Sequence, residues 1–562
     1  MANKLELTWY GKENEPKIEP RLLIENKELS NTDNDPDTEN MLIHGDNLLA
    51  LKALENKYAG KVKCIYIDPP YNTGSAFEHY DDNLEHSQWL SLMKPRLEIL
   101  KNLLSDDGFF CCHIDDSEGA YLKVLLDEIF GRNNYLNTFY IQVRYANKTL
   151  AEDSDYQKII EQCHVYSKQK NLAKLNRPKA EYDISKFKWK IFEDEPGKVI
   201  TLGNKKVEIF KNNQYHIEEI DPCLTGLKET WATGSLARVR ASAGEFFELY
   251  LSDRKNIDGL GSLYKVYGIG EDSLGYRYIS GPKKANANKG KFYSGIPLKR
   301  LEELKSGKSF KYLPVSNFLD YAGNFGNCRL EGSVDFKGGK KPEVLLEKLL
   351  MYFSNPGDLV LDSFLGSGTT AAVAHKMGRK WIGIEMGEHA YTHCKVRLDK
   401  VISGEDKGGI TKSVNWKGGG GYRFYELAPT LINQDAFGEY IINKEYNAGM
   451  LAAAVALHEG FSYNPSPETF WKQSTGSENS YLFVTTKHIT AAYLHSIKDT
   501  MQDNEYLIIA CKSYDEKAAN AFSNIVIKKI PQMLLNRCEF NKDNYNLNIV
   551  HPPVYDEVED DE

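Results

Sequence analysis

The sequence predicts an α/β protein whose main domain is a doubly wound parallel sheet, with helices on both faces. Two runs, KVKCIYID at 61–68 and GFFCCHID at 108–115, are too apolar for half-exposed strands and fit parallel strands covered on both faces. Helical patterns alternate with these strands, as in parallel sheets. The alternation stops near residue 170 and resumes at 341–385, so one sheet is predicted to form from two chain segments.

The first segment begins with MLIHGDNLLALKAL at 41–54, which predicts a strand, a turn at Gly45 and a helix. After the 61–68 strand, PPYNTGSAFEHYDDN at 69–83 predicts a loop. The following helix is predicted to bend at Pro95. Its apolar stripe consists of Trp89, Met93, Leu97, Leu100 and Leu104.

A further helix, at 119–131, is predicted to end at Gly131. The second segment predicts helix 341–354, strand 357–364, helix 368–378 and strand 379–385, in that order.

The change of character along the chain predicts five parts. Residues 171–330 are polar and rich in Gly, Tyr and Lys, which predicts an inserted domain of mixed or irregular structure. KGGGGYRFYEL at 417–427 is interpreted as a linker to an α+β domain with an acidic tail. The predicted parts are an N-terminal arm at 1–40, sheet halves at 41–170 and 331–416, the insert at 171–330 and a C-terminal domain at 417–562.

Composition indicates a soluble globular protein of several domains. The 562 residues exceed one simple core, and 41% are hydrophobic and 27% charged. No apolar run approaches the roughly 18 residues that cross a bilayer, and the N-terminus lacks a signal-peptide core. Nine cysteines without CxxC spacing favour a reducing cytoplasm, with neither disulfides nor a zinc site. We therefore expect a cytoplasmic protein.

Charge is distributed unevenly. The net charge of −9 argues weakly against a nucleic-acid partner, although YDEVEDDE at the end contributes six acids. Residues 281–311 carry nine Lys or Arg against two Glu, with Tyr, Phe and Gly between them. Such a stretch is usually a solvated surface, but the interleaved aromatic residues favour contact with phosphates.

A glycine loop between a strand and a helix predicts a cofactor site. In VLDSFLGSGTTAAVA, Gly366 and Gly368 allow a tight turn, and the first N–H groups of the helix face an anion. Glu385 ends the next strand, where a carboxylate accepts both ribose hydroxyls. An adenosine-type cofactor is predicted. The loop also fits the dinucleotide pattern GxGxxA, whereas a P-loop is excluded because no GK[ST] follows.

The stretch KCIYIDPPYNTG at 63–74 ends a buried strand on a carboxylate, two prolines and a tyrosine. Asp68 therefore lies at the carboxyl end of a strand, where parallel sheets bind ligands. Pro69 and Pro70 fix two φ angles and hold the Pro69 carbonyl and Tyr71 rigidly. Two acceptors beside an aromatic ring match the exocyclic amine of a nucleobase, and stacking contributes roughly 1–3 kcal/mol.

This arrangement suits methyl transfer to the amine. The lone pair of a ring-conjugated amine is delocalised, so acceptors that favour pyramidalisation and stabilise the developing positive charge assist its attack. A sulfonium compound supplies an electrophilic methyl group, and alignment of donor and acceptor removes much of the activation entropy. The predicted chemistry requires no metal.

DPPY at 68–71 and FLGSG at 364–368 together resemble the DNA amino-methyltransferases that use S-adenosylmethionine. The target motif precedes the cofactor motif by about 300 residues, which resembles the permuted β class. The chain also resembles the modification (Mod) subunits of type III restriction–modification systems, in the stretches LTWYGKE, LIHGDNLLALKAL, GFFCCHIDDSE and KKPEVLLEKLL. The resemblance implies a circularly permuted, Rossmann-like methyltransferase sheet with an inserted target-recognition domain.

The resemblance also implies roles for individual residues. The target-amine motif is matched by Asp68, Pro69, Pro70 and Tyr71. Within the cofactor site, Asp362 contacts the methionine moiety, Glu385 the ribose and Asp46 the surroundings of the adenine. Lys341, in the KP pair before the second helix, is also assigned to this site. The loop that holds the methionine moiety is matched by Phe364, Gly366, Ser367, Gly368 and Thr369.

The implied partners are double-stranded DNA, a second copy of the chain and a restriction subunit with helicase and nuclease functions. The C-terminal domain is a candidate for dimer or partner contacts. Residues 181–340, which include most of the insert, contain 26 basic and 21 acidic residues, a net +5. The predicted DNA contacts are Lys283, Lys284, Lys289, Lys291, Lys299 and Arg300.

Three alternatives remain open. Aspartate at position 68 is typical of adenine-N6 enzymes in the resembling families, but the acceptor pair also fits cytosine N4. A nicotinamide-dependent oxidoreductase would use the GxGxxA loop and leave Asp68–Tyr71 unexplained. A catalytically silent DNA-binding subunit would not require the intact acceptor motif.

Overall fold

The computed structural model describes residues 6–71, 82–147, 156–231, 242–287, 289–307, 309–336 and 339–545. The chain divides into two compact units, of which the first combines Met1–Asn176 with Ser316–Glu562 and the second is Arg177–Val315. Most of the predicted 69–83 loop (72–81) and the acidic tail lie outside the described residues. Within these ranges no helix has the length and apolar character needed to cross a membrane.

The first chain segment contains the strands and helices that the sequence predicts. Leu104 is an exception: it begins a strand rather than ending the preceding helix, and it pairs with Val62. The strands are β1 Leu23–Glu25, β2 Met41–His44, β3 Val62–Ile67, β4 Leu104–Ile114, β5 Tyr135–Gln142 and β6 Ile160–Ser167. The helices are α1 Asn47–Tyr58, α2 Asp82–Leu103 and α3 Gly119–Leu126, which continues as a π-helical turn over Asp127–Gly131.

The second unit is mainly β-structure. Its strands are β7 Lys179–Glu181, β8 Phe187–Glu193, β9 Lys198–Leu202, β10 Lys205–Phe210, β11 Tyr215–Glu219, β12 Leu227–Trp231, β13 Leu263–Tyr267, β14 Tyr276–Ser280, β15 Lys291–Ser294 and β16 Phe310–Tyr312. Its helices are α4 Ser242–Phe246, α5 Lys255–Asp258 and α6 Leu298–Lys305.

The remaining elements return to the first unit. The strands are β17 Phe318–Asp320, β18 Leu359–Asp362, β19 Lys380–Glu385, β20 Arg423–Leu427, β21 Ile432–Gln434, β22 Tyr440–Ile442, β23 Ser462–Tyr463, β24 Ser474–Thr475, β25 Ser480–Ile489, β26 Tyr506–Tyr514 and β27 Ile525–Lys529. The helices are α7 Ala322–Phe325, α8 Glu343–Phe353, α9 Thr369–Lys376, α10 Val396–Ser403, α11 Ala448–Glu459 and α12 Ala491–Lys498.

The main sheet confirms the predicted doubly wound α/β fold. Over the described residues it has ten strands in the order β1-β20-β2-β19-β18-β3-β4-β6-β5-β17. The six strands from β20 to β4 run parallel. Successive side chains of each strand face opposite sides of the sheet. On one side, Ile65 of β3 packs in the core with α1 and α2. On the other side, Phe109 of β4 contacts Phe353 of α8, with the ring centres 5.0 Å apart.

The strand order places four predicted site residues along one edge of this sheet. β2, β19, β18 and β3 are neighbours and parallel, so their carboxyl ends lie side by side. Asp46, Glu385, Asp362 and Asp68 follow or end these strands in that order. With about 4.8 Å between strands, the row is about 14 Å long.

The second unit is more regular than the mixed or irregular structure expected at 171–330. Eight of its strands form one sheet in the order β11-β8-β12-β15-β14-β13-β10-β9, and all of its pairs are antiparallel. The strands are only four to seven residues long and are interrupted by glycine and polar turns. Tyr264, Val266 and Ile279 pack beneath this sheet against α4. Short strands with exposed polar residues give too weak a period for detection in the sequence.

The predicted linker at 417–427 is also corrected. Its second half, Arg423–Leu427, is strand β20 and pairs with β2 and β1 in the main sheet. The alternating side chains of RFYEL suit an extended strand, and the four glycines precede it. Beyond β20, a separate sheet in the order β23-β24-β25-β26-β27 packs with α11 and α12, in agreement with the predicted α+β character.

Candidate active site

Asp68 follows β3 directly, and both of its carboxylate oxygens have partners. The Tyr71 hydroxyl donates to Oδ1 at 2.9 Å, and Lys341 Nζ lies 2.8 Å from Oδ2. The Asp68 side chain is 18% exposed and that of Lys341 only 7%. The carboxylate is therefore accessible while its counter-ion is buried.

The two prolines carry the chain away from the sheet edge. No described residue donates a hydrogen bond to the Pro69 carbonyl, which leaves it available as a second acceptor. The next carbonyl is held by the indole of Trp89, whose Nε1 donates to Pro70 O at 2.7 Å. Trp89 is almost fully buried in α2. The loop is thus fixed by proline rings and by one hydrogen bond from a core residue.

Glu161 is a second carboxylate beside Tyr71. It lies at the start of β6, which runs antiparallel to β4 and therefore begins at the edge where the parallel strands end. Its Oε2 accepts from the Tyr71 hydroxyl at 3.0 Å and lies 2.8 Å from His113 Nε2. His113 in turn contacts the Tyr66 hydroxyl through Nδ1 at 2.9 Å.

The charges of this cluster are balanced by Lys341. Burial raises the pKa of Glu161, but Lys341, His113 and Tyr71 outweigh it and lower the pKa to about 2. Burial alone would lower the pKa of Lys341, yet Asp68 and Glu161 raise it above its ordinary value. At neutral pH, Glu161 is therefore a carboxylate and Lys341 an ammonium group.

The position of Lys341 follows from the topology. Helix α8 precedes β18 and runs back along the sheet, so the residues before α8 lie at the carboxyl edge. Lys341 was assigned to the cofactor site by resemblance; its Nζ contacts Asp68 and Glu161 and lies 4.9 Å from the ring centre of Tyr71. In the structure, Lys341 therefore contacts the group of residues formed by Asp68, Tyr71 and Glu161, which we call the acceptor site.

The glycine loop has the backbone that its sequence predicts. Gly366 and Gly368 have positive φ of 56° and 80°, in the region that favours glycine. No heavy atom lies within 4 Å of a Cβ placed on Gly366, whereas one placed on Gly368 would lie 3.2 Å from Cys394 Cα. Gly366 thus faces open space, and Gly368 allows the loop to pack closely on the π-helical turn Ala390–Lys395, which contains Cys394.

Two carboxylates flank this loop. Asp362 accepts from Phe364 N at 2.9 Å and from the Thr370 hydroxyl at 2.6 Å, and burial raises its pKa to about 7. Glu385 accepts from Gly366 N at 2.7 Å and from Gly387 N at 2.9 Å. Asp362 closes the strand-to-helix turn, and Glu385 connects the loop to the end of the next strand.

A buried ion cluster supports the loop from below. Arg397 donates to the Thr369 hydroxyl at 2.7 Å and to the Ser367 carbonyl at 3.3 Å. It also contacts Glu343 at 2.8 Å, and Glu343 contacts Lys376 at 2.7 Å. The side chains of Glu343, Lys376 and Arg397 are fully buried. These ion pairs join the helix after the glycine loop to the start of α8.

Asp46 has a well-defined structural role. Its Oδ1 caps α1 by accepting from Leu48 N at 2.9 Å and Leu49 N at 3.1 Å. Its Oδ2 accepts from Tyr545 N at 3.0 Å and lies 3.4 Å from Arg96 Nη2. The residue is 2% exposed, so its predicted contact with a cofactor remains a prediction.

The predicted DNA contacts divide into two groups within the second unit. Lys283, Lys284, Lys289 and Lys299 are exposed. Lys291 and Arg300 are partly buried and form ion pairs with Glu229 at 2.7 Å and Glu303 at 2.5 Å. The exposed lysines are the better candidates for phosphate contacts.

Sequence reasoning missed Glu161, His113, Trp89 and the Glu343–Arg397 pair. Glu161 is preceded by a non-apolar stretch, and its place at the sheet edge depends on the antiparallel direction of β6. Buried Arg397 and Glu343 lie 54 residues apart on helical patterns and resemble ordinary surface charges. The only available signal was the adjacency of Glu343 to the KP pair.

A glycine loop and a carboxylate that follow neighbouring parallel strands are typical of α/β proteins that bind ligands at the carboxyl edge of the sheet. The chain belongs to the DNA methylase family, because the family's model matches residues 62–395, more than half of the chain. The match spans both sheet segments and the second unit between them.

Two curated proteins and one solved structure illustrate what this chain is similar to. A protein named "Probable type III restriction-modification enzyme HindVI Mod subunit" from Haemophilus influenzae is 36% identical over 70% of this chain and 54% of its own length. The Enterobacter cloacae protein "Type II methyltransferase M.EcaI" is 28% identical over 75% of this chain and 81% of its own. The solved PvuII DNA methyltransferase (cytosine-N4-specific) aligns with 67% of this chain and 92% of its own, at 17% identity and a TM-score of 0.32.

The predicted resemblance to type III Mod subunits is confirmed, since four relatives carry that name. The chain spans 54% to 64% of the length of those subunits.

Proposed function

We propose that this chain transfers a methyl group from S-adenosylmethionine to the N6 amine of an adenine flipped out of duplex DNA. The observation that carries the proposal is the adjacency of Asp68, after β3, to the glycine loop, after the neighbouring strand β18. Neighbouring strands lie about 4.8 Å apart, so an amine held by Asp68 and a methyl donor held by the loop would be in reach of each other.

The residues present fit S-adenosylmethionine. The open face of Gly366 and the N-terminus of α9 would receive the methionine part, and Glu385, at the end of β19, would accept the ribose hydroxyls. When bound, the cofactor supplies an electrophilic methyl group on a positively charged sulfur.

The acceptor site would hold the target amine by hydrogen bonds. Lys341 Nζ lies 2.8 Å from the Asp68 carboxylate, and the Pro69 carbonyl offers a second acceptor. Both would accept N–H bonds of the amine and stabilise the positive charge that develops on it. Tyr71 would stack on the base, which offsets part of the few kcal/mol required for base flipping.

The second unit is proposed to recognise the DNA sequence. Its exposed lysines at 283, 284, 289 and 299 supply the charges for phosphate contacts, whereas sequence readout requires contacts to base edges. We further propose that the chain acts as the modification and specificity subunit of a type III system, and that it works as a homodimer together with a restriction subunit. The support for this role is the four relatives named Mod subunits.

The test is nucleoside mass spectrometry of duplex DNA incubated with the purified chain and S-adenosylmethionine. We expect N6-methyladenine. N4-methylcytosine would retain the mechanism and change only the base. No methylated nucleoside from plasmid DNA of varied sequence would overturn the proposal.

Calorimetry separates this function from the oxidoreductase alternative. We expect S-adenosylmethionine to bind and NADH not to bind. The reverse result would assign the glycine loop to a dinucleotide and leave Asp68 without a role in methyl transfer.

A further inference from the structure

Both carboxylate oxygens of Asp68 have a partner in the structure. Tyr71 contacts Oδ1 and Lys341 contacts Oδ2, at 2.9 and 2.8 Å. Each oxygen can accept a second hydrogen bond, but an incoming amine that donates to Asp68 competes with one of these partners for the carboxylate. The ammonium group of Lys341 is buried and is required as counter-ion, so the Tyr71 hydroxyl is the partner that leaves.

A displaced hydroxyl needs another acceptor, because a buried polar group without a partner is costly. Glu161 Oε2 already lies 3.0 Å from the Tyr71 oxygen. A rotation of the O–H bond transfers the hydrogen bond from Asp68 to Glu161 while the tyrosine ring stays in place. The ring thus keeps the orientation in which it would stack on the base.

Glu161 is fixed in the position that this exchange requires. It begins β6, where its backbone pairs with Ile141. Its Oε2 lies 2.8 Å from His113 Nε2 and 3.7 Å from Lys341 Nζ. Only 19% of its side chain is exposed, so its contacts are mainly with other protein groups.

We propose that Glu161 is a positioning residue for methyl transfer: it takes the Tyr71 hydroxyl when the target amine takes Asp68 Oδ1. Tyr71 therefore alternates between two carboxylates, and the acceptor site changes from a closed to a receptive state without movement of the backbone. This inference rests on the proposed methyltransferase function.

A double-mutant cycle tests the exchange. In the wild-type background, Glu161→Gln is expected to lower kcat about 30-fold and to leave the affinity for S-adenosylmethionine within about threefold. In the Tyr71→Phe background, the same substitution is expected to lower kcat less than about threefold, because the hydroxyl that Glu161 receives is absent. An equal loss in both backgrounds would overturn the proposal, since Glu161 would then act only as a counter-charge to Lys341.

A matched control is Glu459→Gln. Glu459 is a buried carboxylate that pairs with Lys528 at 2.9 Å and Arg537 at 2.7 Å, within the C-terminal region. We expect kcat to stay within about twofold of wild type once the folded fraction is normalised by circular dichroism.

A second measurement does not depend on turnover. Once the methylated sequence is mapped, a duplex with 2-aminopurine directly beside the target adenine reports extrusion of that adenine by the fluorescence of the unstacked probe. We expect Glu161→Gln to reduce the signal at least twofold in the wild-type background and to leave it unchanged with Tyr71→Phe. An active wild type with an unaffected Glu161→Gln variant would reject this inference alone, whereas an inactive wild type would reject the proposed function.

Discussion

Two neighbouring parts of the carboxyl edge of the main sheet are built by different means. We call the surroundings of Asp68 the acceptor end and the glycine loop the cofactor end. At the acceptor end, Asp68 is surrounded by charged and polar side chains from three separate chain segments. At the cofactor end, the open surface is backbone, shaped by Gly366 and Gly368 and held by ion pairs beneath it. Charge should therefore govern the acceptor end, and backbone conformation the cofactor end.

This difference has a physical reason. An amine that develops charge must meet a fixed opposite charge, whereas a large, multiply bonded cofactor requires close approach and many N–H groups. A substitution that preserves shape but removes charge should thus impair the chemical step at the acceptor end, whereas at the cofactor end it should act on the stability of the ion pairs beneath the loop. The predictions below test this division.

The largest effect is expected for Asp68→Asn, which retains the shape and removes the charge. We expect kcat to fall about a thousandfold, as for the loss of one essential electrostatic contact, while S-adenosylmethionine affinity stays within threefold by calorimetry. Lys341 keeps Glu161 as a counter-ion 3.7 Å away, so the fold should survive. Activity within tenfold of wild type would show that Asp68 does not hold the amine.

The next effect concerns the support of the cofactor end. Glu343→Gln leaves Arg397 and Lys376 buried with one carboxylate fewer, and such a loss costs about 3–5 kcal/mol. Urea unfolding measures the loss. Glu15→Gln, which breaks the exposed pair with Lys94, is the control and should cost at most about 1 kcal/mol. Equal losses in both variants would mean that the buried cluster does not stabilise the loop.

A smaller effect is expected for Gly366→Ala. The positive φ of 56° makes alanine strained by about 1–2 kcal/mol, so we expect roughly tenfold weaker S-adenosylmethionine binding with little change in kcat at saturation. Gly357 has φ of 86° and equally open surroundings at the other end of β18. Gly357→Ala should share the loss of stability and retain cofactor affinity; weaker binding in both would show a global effect.

The last prediction is a pH dependence at Asp362. Burial raises the pKa of this carboxyl to about 7 in the folded protein, above its ordinary value of 3.8. The folded state then binds the proton more tightly than the unfolded state, so the stabilising contribution is lost as pH rises from about 4 to 7. As pH rises over this range, the melting temperature of the wild type should fall relative to that of Asp362→Asn. Parallel curves would contradict the raised pKa.

Much of the cofactor end could be predicted from the sequence. The glycine loop and Glu385 form a local pattern in which spacing along the chain determines position in space. Asp68 and Glu385 were predicted at the carboxyl ends of strands and Asp46 and Asp362 were assigned by resemblance, whereas the row that the four residues form follows from the strand order of the structure. These features depend on short-range chemistry and on one topological rule.

The acceptor end was less predictable, because its geometry depends on long-range pairing. Glu161 reaches Tyr71 only because β6 is antiparallel, and Lys341 reaches Asp68 from 273 residues away. The strands of the second unit were missed for a different reason, since their polar faces blur the alternation that marks a strand. A residue's partner across a sheet is a property of the fold and not of the local sequence.

The pairing of β20 with β2 has a consequence for protein synthesis. Arg423–Leu427 and Met41–His44 lie side by side although nearly 380 residues separate them. At about 5 to 20 residues per second, a ribosome makes the second strand about 20 to 75 seconds after the first. During most of that interval β2 has neither of its sheet partners, because β19 is also made late, so chains from prematurely ended translation are the species that chaperones and proteases would meet.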